Sequence, residues 1–478
     1  VFQSQYRKNA HYNSTHRRRQ NLYALPSAQW QMLAAPPFSI LDTLNAVDDA
    51  LDYNADLADA IFQLGLASFG LDEKPGPSSK SSLDWRGKAK PNDVTKAHST
   101  IRQFYRDWSH EGFTREVEPL LRIVLSDLEG FLATDETQQP PPQQQQQQEQ
   151  QRYAPNNNSP QLLLPGAGLG RLLFELCLRG YNATGNEISY HQLLASNLIL
   201  NGTRHADQFA IYPFANTFTN VTSRANQLRR YTVPDVHPGE ALSARARARL
   251  PVGEMNMTAG DFVLSYSTPE CAGMFDGVVT VFFIDTAPNL IRYVETVRNC
   301  LREGGVWINV GPLLWHFDDR MQRGAGGGEE EEDEDDEEEQ DEEEGHSHSH
   351  SHPHAHSHPH DSDASIPSAR QRSRRQKRSP LDLEDKGIGE PGSVELTDEE
   401  VTALVSRLGF EIVRHEIVPG SNASAMPGSE PASRSGVGPE MGTGIGIGYM
   451  QDPHSLLQNL YRCSHWVARR KKIDVSAA

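Results

Sequence analysis

The chain has 478 residues and a formal net charge of −19 at pH 7, but 15 of its acidic residues fall within Glu329–Glu344 and leave about −4 for the rest. A near-neutral remainder has no basic stripe of the kind a phosphate backbone attracts, which argues against a nucleic-acid partner. The longest strongly apolar run, Val278–Ile284, is far short of the roughly 18 residues of a membrane span. Cys177, Cys271, Cys300 and Cys463 form no Cys-x-x-Cys pair and read as reduced core residues of an intracellular protein. The chain starts at Val1 without methionine, which leaves a targeting signal open.

Residues 1–132 read as an N-terminal helical region. Over Ile40–Phe69, Leu41, Leu44, Val47, Leu51, Leu57, Ile61 and Leu64 recur at helical spacing, and Val94–Phe131 repeats the pattern from Ile101 to Leu128. Gln103 and Arg106 are three residues apart and project together, so a helix over about 94–110 is placed to cap a cleft. Residues 133–160, rich in Gln and Pro, are read as a linker.

The core is read to begin at Gln161, where three leucines and Pro165 lead into Gly166-Ala-Gly168-Leu-Gly170-Arg171. That is a buried strand, a tight turn and a helix whose Leu172, Leu173, Leu176 and Cys177 share a face. Glu187 ends the next strand, Ala183–Asn186, 21 residues after Gly166, about where a Rossmann-type unit places a carboxylate for the hydroxyls of an adenosine ribose. Arg171 stands where a dinucleotide fingerprint needs its third glycine. The Gly-x-Gly-x-Gly spacing therefore favours S-adenosylmethionine over NAD, although Pro165 occupies a position where many methyltransferases carry an acidic residue.

Further along, His191–Leu200 reads as a helix and Gly260-Asp261-Phe262 as a strand end. Asp276–Asp285 reads as a buried parallel strand by its unbroken apolar run, followed by a helix over Asn289–Leu301 and a strand over Gly305–Val310. Glu187, Asp261 and Asp285 thus lie at carboxyl ends of strands, where ligands of open α/β sheets collect. Asp285 is read either as an acceptor-site carboxylate or as the N-cap of the next helix, and His316, after the fifth strand, stands above the same edge. Residues 161–320 make up this part of the core.

Residues 321–392 are read as a disordered insertion: the acidic run, then eight histidines within His346–His360, then six basic residues within Arg370–Arg378. No metal site is assigned to the histidines, which lack a scaffold to fix geometry; the basic run is a candidate nuclear-import patch against plain linker. Residues 393–478 complete the core with a helix capped by Thr397 and ending at Leu408, and strands over Phe410–Val418 and Tyr461–Ala468. The expected fold is α/β, a Rossmann-like seven-stranded class I methyltransferase sheet with an N-terminal helical region and disordered insertions.

Several strings in order carry a closer likeness: Gln103-x-x-Arg106-Asp-Trp, Pro165-Gly-Ala-Gly-Leu-Gly-Arg-Leu, Gly185-Asn-Glu, Gly260-Asp-Phe, Phe282-Phe-Ile-Asp-Thr-Ala, and Trp307-Ile-Asn-x-Gly-Pro-Leu-Leu-Trp-His-Phe. Over roughly 94–132, 161–317 and 393–470 the chain resembles the carnosine N-methyltransferase family. The resemblance implies transfer of methyl from S-adenosylmethionine to an imidazole nitrogen of carnosine, giving anserine. It implies cofactor contacts from Gln103, Arg106, Gly166, Glu187, Asp261 and Phe262, with Tyr293 nearby and Cys271 or its neighbour, and carnosine contacts from Asp285, His316 and Tyr461. The family's segment before its last strand is tyrosine-rich, whereas this chain reads Gln458-Asn-Leu-Tyr461 after an expanded Gly-rich loop, Ser421–Gly448.

Asp285, His316 and Tyr461 are also the expected catalytic residues, Asp285 holding the imidazole tautomer and the other two orienting the ring or accepting a proton. The expected partner is a small dipeptide, with no nucleic acid and no membrane and a homodimer left open. The expected location is cytoplasmic, with the nucleus left open by the basic run. The competing readings are a protein-histidine methyltransferase and a non-catalytic methyltransferase-like binding protein.

Overall fold

The computed structural model describes residues 5–71, 91–132, 159–315, 393–419 and 446–472. The chain divides into two compact units, Val1–Phe317 with Lys386–Ala478, and Asp318–Asp385. The second unit, the 133–158 part of the linker, the insertion and His316 lie outside the described residues.

The first unit is built on a seven-stranded sheet: β1 (Gln161–Pro165), β2 (Asn182–Glu187), β5 (Met255–Ala259), β6 (Phe275–Val281), β7 (Leu301–Gly311), β8 (Phe410–Val418) and β9 (Cys463–Arg470). Their spatial order is β5-β2-β1-β6-β7-β9-β8. The first five pair in parallel, and β9 inserts antiparallel between β7 and β8. This is the class I methyltransferase arrangement, and its order reverses between β1 and β6, where a crevice opens above the carboxyl ends. β3 (Phe209–Ile211) and β4 (Tyr231–Val233) form a separate antiparallel pair.

Because side chains alternate along a strand, the apolar runs of the central strands supply two faces. Leu162, Leu164, Val279 and Ile308 join one core with Leu120, Leu121, Val124 and Leu128 of helix Glu118–Leu132. Leu163, Val278 and Trp307 join the other, with Val294 and Val297 of helix Leu290–Cys300 and Val401 and Val405 of helix Asp398–Arg407. The capping box predicted at Thr397 is present: its hydroxyl accepts the Glu400 N–H, and the Glu400 carboxylate accepts the Thr397 N–H.

The N-terminal helices add a third core, in which Val47, Leu51, Leu57 and Ile61 of helix Ile40–Phe69 meet Ile101, Phe104 and Trp108 of helix Pro91–Trp108. The helical pattern over Val94–Phe131 is not one rod. It breaks at Ser109, whose hydroxyl caps a short turn by accepting the Gly112 N–H, and it continues through a π-turn, Phe113–Val117. Gly112 permits the break: a Cβ there would stand 1.9 Å from the Tyr105 carbonyl oxygen. The consequence is functional, because the bend turns Arg106 and Glu116 toward each other at 3.7 Å beside the crevice.

The Arg171 that replaces the third glycine is buried and packs on Phe113. It pairs with Asp235 at 2.6 Å and with Glu175 at 3.0 Å, and it donates to the Asp107 carbonyl at 2.9 Å. Trp108 Nε1 also donates to the Leu169 carbonyl at 3.0 Å. The helix carrying Gln103 and Arg106 is thereby fastened directly to the glycine turn. Among the described residues, no helix is long and apolar enough to cross a membrane.

Candidate active site

A cleft of about 280 Å³ opens over the ends of β1, β2, β5 and β6. Its floor is the glycine turn. Gly166 has φ +68°, and a Cβ there would lie 2.6 Å from the Phe283 ring, so only glycine fits the turn. The turn is closed against β2 by the Ala167 N–H donating to the Asn186 carbonyl at 3.0 Å, and the Gly260 N–H ties β5 to the Glu187 carbonyl at 3.0 Å.

Glu187 is only 6% exposed. One carboxylate oxygen accepts the Gly168 N–H at 2.9 Å, the other the Ser189 N–H at 2.8 Å. Burial raises its pKa above the ordinary carboxylate range, with those N–H groups pulling the other way. A carboxylate oxygen has two lone pairs, so both oxygens retain acceptor capacity toward a vicinal diol.

One wall is aromatic. Phe262, Phe283 and Tyr293 contact one another with centroid distances of 5.6, 5.4 and 5.2 Å, the last pair stacked. Asp261 caps the short helix carrying Phe262 by accepting the Leu264 N–H at 3.0 Å. The opposite wall comes from the N-terminal helix, with Gln103, Arg106 and Asp107. Gln103 Oε1 and Arg106 Nε are buried without a hydrogen-bond partner. Orphaned buried polar atoms are costly unless something pairs with them; both residues line the cleft, and Arg106 Nε has only the Glu116 carboxylate at 3.7 Å beside it. A Cβ at Gly168 would meet nothing nearer than 3.6 Å. These residues fit the amino-acid and ribose ends of S-adenosylmethionine.

Of the residues named for the acceptor, His316 lies outside the described residues, and Asp285 and Tyr461 stand beside the cleft-lining Thr286 and Phe282 without being part of the lining themselves. After β6 the chain reverses at Phe282, a non-glycine residue at φ +52°, and a 3-10 turn, Ile284–Thr286, presents Asp285. Strained backbone of this kind clusters at functional sites. Asp285 is 3% exposed and accepts the Leu314 N–H at 3.0 Å. It does not cap the following helix, because that role belongs to Asn289, which accepts the Arg292 N–H. Burial, and next the Asp285 charge, push the Cys463 thiol at the start of β9 up to about 12. Tyr461 precedes β9, pairs its backbone with Ile447 and sets its ring at an angle to Phe282.

Gln103, Arg106, Gly166, Glu187, Asp261, Phe262 and Tyr293 all line the cleft. Cys271 is not part of that lining: its sulfur lies 3.4 Å from the Ser265 carbonyl oxygen, and it packs against the core that also holds Phe262 and Tyr293. The cleft also draws on residues that sequence reasoning passed over, including Asp107, Gln192, Phe282, Phe283 and Tyr449. Asp107 was legible as the neighbour of Arg106. Tyr449 was not, for it stacks on Phe282 at 5.1 Å and lies under the Arg106 guanidinium at 4.9 Å from a segment over 300 residues away in the chain.

The family model described as carnosine N-methyltransferase matches residues 83–426. A carnosine N-methyltransferase of Schizosaccharomyces pombe is 32% identical over 280 residues, covering 59% of this chain and 66% of that protein. Those of Rattus norvegicus and Mus musculus are 35% and 31% identical, covering 49% and 62% of this chain and 52% and 64% of the relatives. The matched stretches thus span between about half and two thirds of the relatives' own length. With 344 of 478 residues inside the family model, and the motifs standing where the fold needs them, the chain belongs to the carnosine N-methyltransferase family.

Proposed function

We propose that the protein transfers the methyl group of S-adenosylmethionine to an imidazole nitrogen of carnosine or a closely related histidine dipeptide. The observation that carries this reading is the placement of two buried carboxylates along one edge of the sheet. Glu187 ends β2 beside the glycine turn, and Asp285 follows β6, next to cleft-lining Thr286.

In this reading Glu187 accepts the ribose hydroxyls, Arg106 receives the methionine carboxylate, and Phe262, Phe283 and Tyr293 pack the adenine side. The cofactor supplies an electrophilic methyl on a sulfonium. The protein's part is to align the acceptor nitrogen behind that methyl and exclude water. A neutral imidazole is nucleophilic at one nitrogen and carries a proton on the other. Asp285 accepts a hydrogen bond from that N–H, fixes the tautomer and stabilises the positive charge that grows on the ring as the methyl leaves sulfur for nitrogen, and the N–H proton is then lost to solvent to give the neutral methylimidazole. Tyr461 and His316 are assigned to orient the ring.

The test is incubation of the full chain with isotopically labelled S-adenosylmethionine and a panel of carnosine, free histidine, β-alanine and histidine-containing proteins, read by mass spectrometry. Label on the imidazole of carnosine is the expected result. Label only on protein histidines would favour the protein-directed alternative.

A further inference from the structure

The amino-acid end of S-adenosylmethionine carries a carboxylate and an ammonium, and the site as described provides a partner only for the first. Pro165 stands where many methyltransferases have an acidic residue before the glycines, so that side of the floor lacks a carboxylate. The structure brings one in from the opposite wall. Asp107 is 6% exposed, lines the cleft, and points Oδ2 at the glycine turn, 3.9 Å from where a Cβ of Gly168 would sit.

Its position is fixed from three sides. The Asp107 carbonyl accepts Arg171 Nη1 at 2.9 Å, the adjacent Trp108 donates to Leu169 at 3.0 Å, and Asp107 Oδ1 meets Arg106 Nη1 at 2.5 Å. Gln103 lies one helical turn before Asp107, on the same face, and its buried Oε1 has no hydrogen-bond partner. A guanidinium beside a carboxylate, with an unpaired carbonyl-type oxygen one turn away, is the charge-reversed image of an α-amino acid zwitterion.

We propose that Asp107, assisted by Gln103 Oε1, receives the α-ammonium of the cofactor, while Arg106 takes the carboxylate. The inference rests on the S-adenosylmethionine reading of the cleft. It makes Asp107 a cofactor-binding residue rather than only a brace for Arg106. The two roles differ in a measurable way, since a brace for Arg106 supports only ligands that have the carboxylate, whether or not they have the ammonium, and an ammonium receptor supports only ligands that have the ammonium.

Calorimetric binding of S-adenosylhomocysteine, its desamino analogue and its decarboxy analogue to the wild type and to Asp107→Asn separates them. A charge-assisted hydrogen bond of about 1.5 to 3 kcal/mol corresponds to roughly 10- to 100-fold in affinity. The wild type should bind the desamino analogue weaker by that factor, and Asp107→Asn should weaken S-adenosylhomocysteine similarly while leaving the desamino analogue unchanged. Equal loss for both ligands in the variant, or equal affinity of the wild type for both, overturns the proposal. The wild-type comparison stands even if the variant fails to fold. Absence of S-adenosylhomocysteine binding to the wild type is a different failure, that of the cofactor reading itself.

Discussion

The carboxylate of Glu116 accepts the backbone N–H of Met450 at 2.7 Å and, through its other oxygen, that of Gln451 at 2.8 Å. Glu116 is 3% exposed, and burial raises its pKa against the pull of Arg106 and those two N–H groups. One buried side chain on the N-terminal π-turn therefore holds the segment that brings Tyr449 over the cleft.

Replacing Glu116 with Ala should release that segment. Each hydrogen bond to a charged acceptor contributes about 1.5 to 3 kcal/mol, so the Met450 and Gln451 amides should exchange with solvent at least about tenfold faster. Hydrogen exchange by mass spectrometry over residues 446–461 is the measurement. Unchanged protection there would mean that contacts other than Glu116 hold the segment.

Glu187 leads to a prediction about pH. Its pKa is raised by burial, so on acidification it takes up a proton at a higher pH than an ordinary glutamate. The protonated carboxyl loses charge-assisted acceptance of the ribose hydroxyls, so on acidification S-adenosylhomocysteine affinity should start to fall at a pH above the range of an ordinary glutamate. Glu187→Gln should bind more weakly at neutral pH and show a flatter profile. Parallel profiles for the two proteins would assign the pH dependence to another group.

Gly166→Ala places a side chain at φ +68°, 2.6 Å from the Phe283 ring. The left-handed backbone alone costs roughly 1 to 2 kcal/mol, and Phe283 must leave its stack on Tyr293. A lower Tm together with weaker S-adenosylhomocysteine binding is expected. If both stay at wild-type values, the turn relaxes more freely than its geometry implies.

The sheet was legible in the sequence because each strand is marked by local chemistry. The apolar runs at Leu162–Leu164 and Val278–Val281, the glycines after β1 and the capping box at Thr397 all stand where the elements begin and end. Boundaries moved where tertiary contacts took over. The run read as one strand to Asp285 stops at Val281 because Phe282 adopts positive φ, and the last strand starts at Cys463 rather than Tyr461. The pair β3 and β4 was not seen, since three-residue strands carry too little alternation to register. Glu116 and Tyr449 were equally silent, because their significance lies in meeting residues distant in sequence.

Asp285→Asn tests the acceptor side with the least disturbance. The substitution keeps size and an oxygen able to accept the Leu314 N–H now held at 3.0 Å, but removes the negative charge. Helix capping does not enter, because Asn289 caps helix Leu290–Cys300. If Asp285 orients the imidazole and stabilises its developing charge, methyl transfer to carnosine should fall by roughly 100-fold or more, the scale of a positioned acid–base group. S-adenosylhomocysteine affinity should stay within about twofold, a change of under 0.5 kcal/mol, because Asp285 is not among the residues that line the cofactor cleft. Turnover near the wild-type level, with cofactor affinity intact, would remove Asp285 from the acceptor site and with it the main residue-level argument for an imidazole substrate. Loss of both together would point instead to collapse of the loop that leads from β7 to Leu314.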